Sequence, residues 1–190
     1  MMDRVLFLIC LMQCVSQLSG QGFTDVTVEA GIDHVFEVDL ATFGGGAAVI
    51  DIDNDGYEDV YITGGNRNDV LYYNNGDGTF KDIFTNAGFD ATIPIHTQGV
   101  AAADVNRDGF KDLLVTTMYY EDGRQLAPNL LFLNNGDKTF TDVTSIYGLD
   151  KFKTNSMGAA FGDINVDGYP DLYVANYFSA SPEGVRRAHV

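Results

Sequence analysis

Aspartates recur at one spacing in three places along this chain. The first run is Asp51-Ile-Asp53-Asn-Asp55-Gly56-Tyr57-Glu-Asp59. The second is Asp104-Val-Asn106-Arg-Asp108-Gly109-Phe110-Lys-Asp112. The third is Asp163-Ile-Asn165-Val-Asp167-Gly168-Tyr169-Pro-Asp171. Each places oxygen-bearing side chains at its first, third, fifth and ninth positions. Such a loop can wrap one hard cation, and calcium takes about 6–8 oxygens at roughly 2.3–2.6 Å.

The expected ligands in the first loop are Asp51, Asp53, Asp55, Asp59 and the backbone carbonyl of Tyr57. The second loop offers Asp104, Asn106, Asp108, Asp112 and the carbonyl of Phe110. The third offers Asp163, Asn165, Asp167, Asp171 and the carbonyl of Tyr169. Asparagine keeps an oxygen ligand while lowering the charge. By carboxylate count the first loop, with four, ranks above the other two, with three each. Gly56, Gly109 and Gly168 stand where the chain must turn sharply. Without an ion the clustered carboxylates repel one another; with one, the loop becomes a staple. An EF-hand loop needs an acidic twelfth residue and flanking helices. Here the twelfth residues are Ile62, Val115 and Val174, inside strand-like stretches. The expected Kd is about 10⁻⁴–10⁻³ M, as for extracellular calcium modules.

The elements around the loops repeat too. Small apolar stretches precede them: Gly46–Ile50, Gly99–Ala103 and Gly158–Gly162. Stretches rich in β-formers follow: Val60–Thr63, Leu113–Thr117 and Leu172–Val174. Further on, Val70–Tyr73 leads into Asn74-Asn-Gly-Asp-Gly-Thr-Phe80, and Leu130–Leu133 into Asn134-Asn-Gly-Asp-Lys-Thr-Phe140. Asn-Gly suits a tight hairpin because both residues tolerate positive φ. Phe80–Ile83 and Phe140–Val143 then read as matching strands, and Phe23–Val26 resembles them with no loop before it. One unit therefore reads strand, acidic loop, strand, connection, strand, turn, strand, repeating every roughly 50–60 residues. The expectation is an all-β chain, a partial β-propeller of four-stranded antiparallel blades, about two and a half in number. The small residues suit innermost strands, where blades crowd a central axis.

Hydrophobic residues make up 45% and charged residues 20%, which places the chain among globular proteins. The net charge of −16 argues against a nucleic-acid partner, which needs Lys and Arg in excess. Residues 1–20 read as a signal peptide: Arg4, an apolar run from Val5 to Met12, then small and polar residues, with cleavage after Ser16 or Gly20. Leu11-Met12-Gln13-Cys14 matches a lipoprotein signal only weakly, because Gln13 stands where a small residue belongs. Both cysteines, Cys10 and Cys14, would leave with the leader. Its removal takes one acid, Asp3, and one base, Arg4, so the net charge stays at −16. No later segment is long and apolar enough to span a membrane as a helix. The expected division is 1–20 leader, 21–178 propeller segment and 179–190 irregular tail.

With these residues in view, the chain resembles FG-GAP/VCBS repeat proteins, the group that includes the integrin α-subunit propeller. Phe-Thr-Asp-Val-Thr at 23–27 and 140–144, with Gly-Gly-Gly-Ala-Ala at 44–48, looks most like the cartilage acidic protein and ASPIC/UnbV branch. No Gly-Ala-Pro follows the partial Phe43-Gly44 match, which separates the chain from close identity with integrins. The resemblance covers about residues 22–178. It implies a seven-bladed propeller with calcium in loops of several blades, and extracellular adhesion or ligand binding, to a protein or glycan, rather than a common chemistry. Seven blades need about 350–420 residues, so the chain reads as a truncated or alternatively ended form that lacks further blades. The rival is a short protein that closes a ring by oligomerising.

The alternative function is a fragment of a propeller-based extracellular enzyme. His34 and His96 lie in no recurring catalytic motif, and Ser156 lacks a nucleophile-elbow context. Repetition of the aspartates favours ion sites over paired catalytic carboxylates. The expected function is therefore a secreted, non-catalytic calcium-binding module. If the ions serve only as staples, partners bind elsewhere, and Tyr119, Tyr120, Tyr147 and Tyr177 are candidate contacts.

Overall fold

The computed structural model describes residues 22–37, 44–93, 95–118 and 127–178. The leader, the 179–190 tail, Tyr119 and Tyr120 lie outside them. Ten strands form three antiparallel sheets. The first sheet runs in the order β1 (Ala47–Ile50), β2 (Asp59–Ile62), β3 (Val70–Asn74) and β4 (Phe80–Asp82). The second repeats it with β5 (His96–Ala103), β6 (Asp112–Met118), β7 (Leu130–Asn134) and β8 (Phe140–Asp142). The third has two strands, β9 (Asn155–Gly162) and β10 (Asp171–Phe178). Each acidic loop joins the first two strands of its sheet. Residues 22–26, expected as a strand by their likeness to β4 and β8, form none and pair with no sheet among the described residues. No α-helix occurs among the described residues, only three single turns of 3₁₀ helix.

Glycine brings the inner strands together. A Cβ built on Gly46 would stand 2.8 Å from the Gly99 Cα, and one on Gly99 would stand 2.7 Å from the Met157 carbonyl oxygen. A threonine on or just after the second strand fastens each approach. Thr63 Oγ1 accepts from Gly46 N at 2.8 Å, and Thr116 Oγ1 accepts from Gly99 N at 2.7 Å. Thr63 then donates to the Gln98 carbonyl of the next blade at 2.8 Å. Gly99→Ala forces backbone apart, because the closest atom to the new Cβ is the Met157 carbonyl oxygen. The expected loss is about 1–3 kcal/mol of stability, read from a urea midpoint.

The core fills the spaces between blades. After each outer strand the chain turns through a left-handed glycine, Gly88 at φ 90° and Gly148 at φ 73°. It then drops an apolar side chain inward. Phe89 lies at the centre of the first interface, its ring centroid 4.9 Å from Tyr61, 4.8 Å from Phe132 and 4.8 Å from Phe140. Leu149 plays the same part in the second interface, with Leu114, Leu131, Val143 and Leu172.

A buried carboxylate also ties the first two blades. Asp69, 2% exposed, accepts hydrogen bonds from the Tyr61 hydroxyl, from Gly64 N at 2.7 Å and from the Thr97 hydroxyl of β5. Burial is the main cause that pushes its carboxyl above the ordinary value; the three hydrogen bonds pull the other way. Its sequence, Asn-Asp-Val, gave no sign of this role.

Candidate metal centre

The three loops fold alike because their aspartates satisfy their own backbone. The first residue spans the turn: Asp51 accepts from Asp55 N at 3.1 Å and Gly56 N at 2.8 Å. Asp104 and Asp163 do the same for Asp108 and Gly109, and for Asp167 and Gly168. The fifth residue accepts from the seventh: Tyr57 N to Asp55 at 2.9 Å, Phe110 N to Asp108 at 2.9 Å, and Tyr169 N to Asp167 at 2.8 Å. The sixth glycines are left-handed as expected, at φ 90°, 95° and 88°. The fourth residues are left-handed too, which the sequence concealed: Asn54 at φ 58°, Arg107 at 63° and Val166 at 61°. Asparagine tolerates that region, whereas a β-branched valine rarely adopts it.

The ninth aspartate is the buried post of each loop. Asp59 and Asp112 are fully buried, and Asp171 is 8% exposed. Asp59 accepts from Ile52 N at 3.0 Å and from Asn74 N at 2.7 Å, joining the loop to the end of β3. Asp112 repeats this with Val105 N at 2.7 Å and Asn134 N at 2.9 Å. Asp171 accepts from Ile164 N at 2.8 Å, while its sheet has no third strand among the described residues to supply a matching donor. Burial is the largest cause raising the carboxyls of Asp59 and Asp112 above 3.8. Neighbouring carboxylates add to it, Asp53 and Asp55 for the first and Asp108 and Asp104 for the second.

The first loop is the most enclosed. Oxygens of Asp51, Asp53 and Asp59 lie within 4.8 Å of one another, the one such carboxylate group among the described residues. Asp53 Oδ1 is buried and has no hydrogen-bond partner. An orphaned, buried oxygen on a carboxylate grouped with two others fits a cation ligand, and the all-oxygen donor set fits a hard one. In the other loops the third-position amide donates to the fifth-position carboxylate, Asn106 to Asp108 at 2.8 Å and Asn165 to Asp167 at 2.9 Å. The third loop is exposed except at its last two residues, Pro170 and Asp171.

The aromatic seventh residues turn their rings to other uses. Tyr57 covers Gly76 and Phe110 covers Gly136, where a Cβ would stand 2.9 Å and 2.7 Å from ring atoms. Tyr169 has no such turn to cover among the described residues and lies under Arg107, whose Cζ is 4.9 Å from the ring centre. The polar residues weighed for catalysis are held structurally. His34 Nε2 lies 3.0 Å from the Thr63 carbonyl, and His96 is 1% exposed. Ser156 is fully buried and bonded to Asn129 and Asn176. Tyr177 is 59% exposed, and Tyr147 is half-buried against the second core cluster.

Four-stranded antiparallel blades, packed inner strand to inner strand with an acidic loop between the first two strands of each, define a β-propeller repeat protein, here in part. A family model described as FG-GAP-like repeat matches residues 51–115 and 119–174. The chain belongs to that family. It is 37% identical over 125 residues to cartilage acidic protein 1 of Xenopus tropicalis, and 34% identical over 124 residues to the Homo sapiens protein. Each match covers 64% of this chain and 17% of the relative. It is also 32% identical over 95 residues to integrin alpha-3 of Cricetulus griseus, across 48% of this chain and 9% of that one. The chain thus spans less than a fifth of the length of these curated relatives.

Proposed function

We infer that this chain is a secreted calcium-binding module for adhesion or ligand recognition, without catalysis of its own. The carrying observation is the convergence of Asp51, Asp53 and Asp59 oxygens, together with a buried Asp53 oxygen that has no hydrogen-bond partner. The repetition of that loop supports the same reading for the second and third sites. Asp51, Asp53, Asp55, Asp59 and the Tyr57 carbonyl would hold the first ion, with their counterparts in the other loops. A bound ion neutralises the clustered charge and staples the two inner strands of a blade. The partner would be an extracellular protein or glycan. The integrin and cartilage acidic protein likenesses support an extracellular setting. Residues 1–20 would act as leader, 21–178 as the propeller segment and 179–190 as a tail. N-terminal sequencing of protein recovered from culture medium checks the leader; retention of Met1 there counts against it.

Calcium should stabilise the protein. At 10 mM calcium and a Kd of about 10⁻⁴–10⁻³ M, each filled site adds about 1.4–2.7 kcal/mol. Calorimetric titration should give binding heat, and thermal unfolding should shift upward against an EDTA control. Asp53→Ala combined with Asp55→Ala should shrink both signals. No heat and no thermal shift at millimolar calcium would overturn the reading.

A further inference from the structure

The turn that crosses beside the first loop differs from its twin at one residue. In the first blade the turn is Asn75-Gly-Asp-Gly78, and Gly78 is left-handed at φ 89°. In the second it is Asn135-Gly-Asp-Lys138, and Lys138 occupies the same left-handed region at φ 71°. A lysine there gives up the freedom that glycine provides. Its ammonium is where that conformation leads. Nζ lies 3.2 Å from Asp53 Oδ2 in the neighbouring blade and 3.7 Å from the centre of the Tyr73 ring. Tyr73 donates to Asp55 Oδ2 at 2.8 Å, so lysine, ring and loop form one contact set. Asn134, at the base of the same turn, donates to the Ile52 carbonyl at 2.9 Å and holds the turn against the loop.

Among the described residues, Lys138 is the one cation within ion-pair distance of a loop carboxylate. Arg107, which belongs to the second loop, lies over the Tyr169 ring instead. The first loop is also the one with aspartate rather than asparagine at its third position. The extra negative charge and the extra positive charge meet at Asp53. With the ammonium counted, the four carboxylates of the first loop carry a net −3, equal to the three carboxylates of each other loop.

We propose that Lys138 sets the cation affinity of the first loop, acting as a tethered counter-cation that a divalent ion must displace from Asp53. This rests on the calcium reading above and cancels the advantage that carboxylate counting gives the first loop. Filling it also releases an ammonium that joins the second blade to the first.

The test is calorimetric titration of EDTA-stripped full chain with calcium chloride. Asp108→Ala and Asp167→Ala are included throughout to silence the other loops. Lys138→Met should raise calcium affinity about tenfold. Lys138→Arg, which keeps the charge, should leave the affinity within about twofold of that of the unsubstituted lysine. In an Asp53→Asn background, Lys138→Met should change nothing. Should Lys138→Met fold poorly, Lys138→Gly restores the residue of the twin turn and must show the same gain. Binding that is equally tight with and without the lysine overturns this proposal and leaves the calcium reading standing. No binding in any of these chains overturns the calcium reading at this loop, and the proposal with it.

Discussion

Asp69→Ala should cost about 3–5 kcal/mol, measured as a drop in urea midpoint in EDTA. The side chain is the shared acceptor for the Tyr61 hydroxyl, the Gly64 amide and the Thr97 hydroxyl, all buried. Truncation strands three donors away from water at once, at about 1–3 kcal/mol for each one left unsatisfied, less what relaxation recovers. It also cuts a link between β2 and β5, so the loss falls on the packing of one blade against the next. Asp69→Asn keeps one acceptor oxygen and should lose less. Its pH behaviour is diagnostic. Burial holds the Asp69 carboxyl above its ordinary 3.8. A group raised in the folded state favours folding at low pH, and that advantage disappears as pH rises through the raised value. Wild-type stability relative to Asp69→Asn should therefore fall as pH climbs from below 3.8. A flat difference across that window would show that the carboxyl keeps its ordinary value.

Asp112→Ala should cost about 2–4 kcal/mol even in EDTA, because Val105 N and Asn134 N both lose their acceptor around a fully buried site. Asp108→Ala offers the contrast. That carboxylate is exposed, and its loss in EDTA should stay within about 0.5 kcal/mol, while calcium stabilisation falls in both variants. Equal effects in EDTA would contradict a division of labour between a ninth aspartate that also holds strands together and a fifth one that serves its own loop. The sign of the pH effect again follows from burial. Asp59 and Asp112 titrate above 3.8. In EDTA their contribution to stability is full below 3.8 and declines as pH rises through the raised values. In calcium the trend reverses, because a proton must leave before an ion can bind. The gain from calcium should thus grow across the window in which the same groups weaken the ion-free protein.

The structure separates two roles that one motif merges. All three loops contain the same four polar positions, yet the ninth residue is buried and holds strands together, and the fifth is exposed and accepts from the loop's own backbone. A linear pattern cannot show this, since burial depends on what the next blade lays against the loop. The first loop is enclosed by the second blade's turn, and the third loop, with no following strands among the described residues, is open.

Much was legible in the order of residues alone. Spacing of aspartate and glycine located the loops, small residues marked the inner strands, and Asn-Gly marked the hairpins. These are local signals: a nine-residue turn needs its own side chains to cap its own amides, and it writes that need into adjacent positions. Repetition then converted local signals into an architecture, because a blade is one local unit used again. What the tertiary structure alone decided is the set of contacts between units. Asp69 reaching Thr97, Phe89 among four aromatic rings, and Lys138 on Asp53 each join residues from different blades or their connections. Residues that far apart share no period or motif, and only the packing of one blade on another brings an aspartate and a lysine within 3.2 Å. The sequence by itself thus located the three acidic loops, and the fold determined which of them has a lysine laid against a carboxylate.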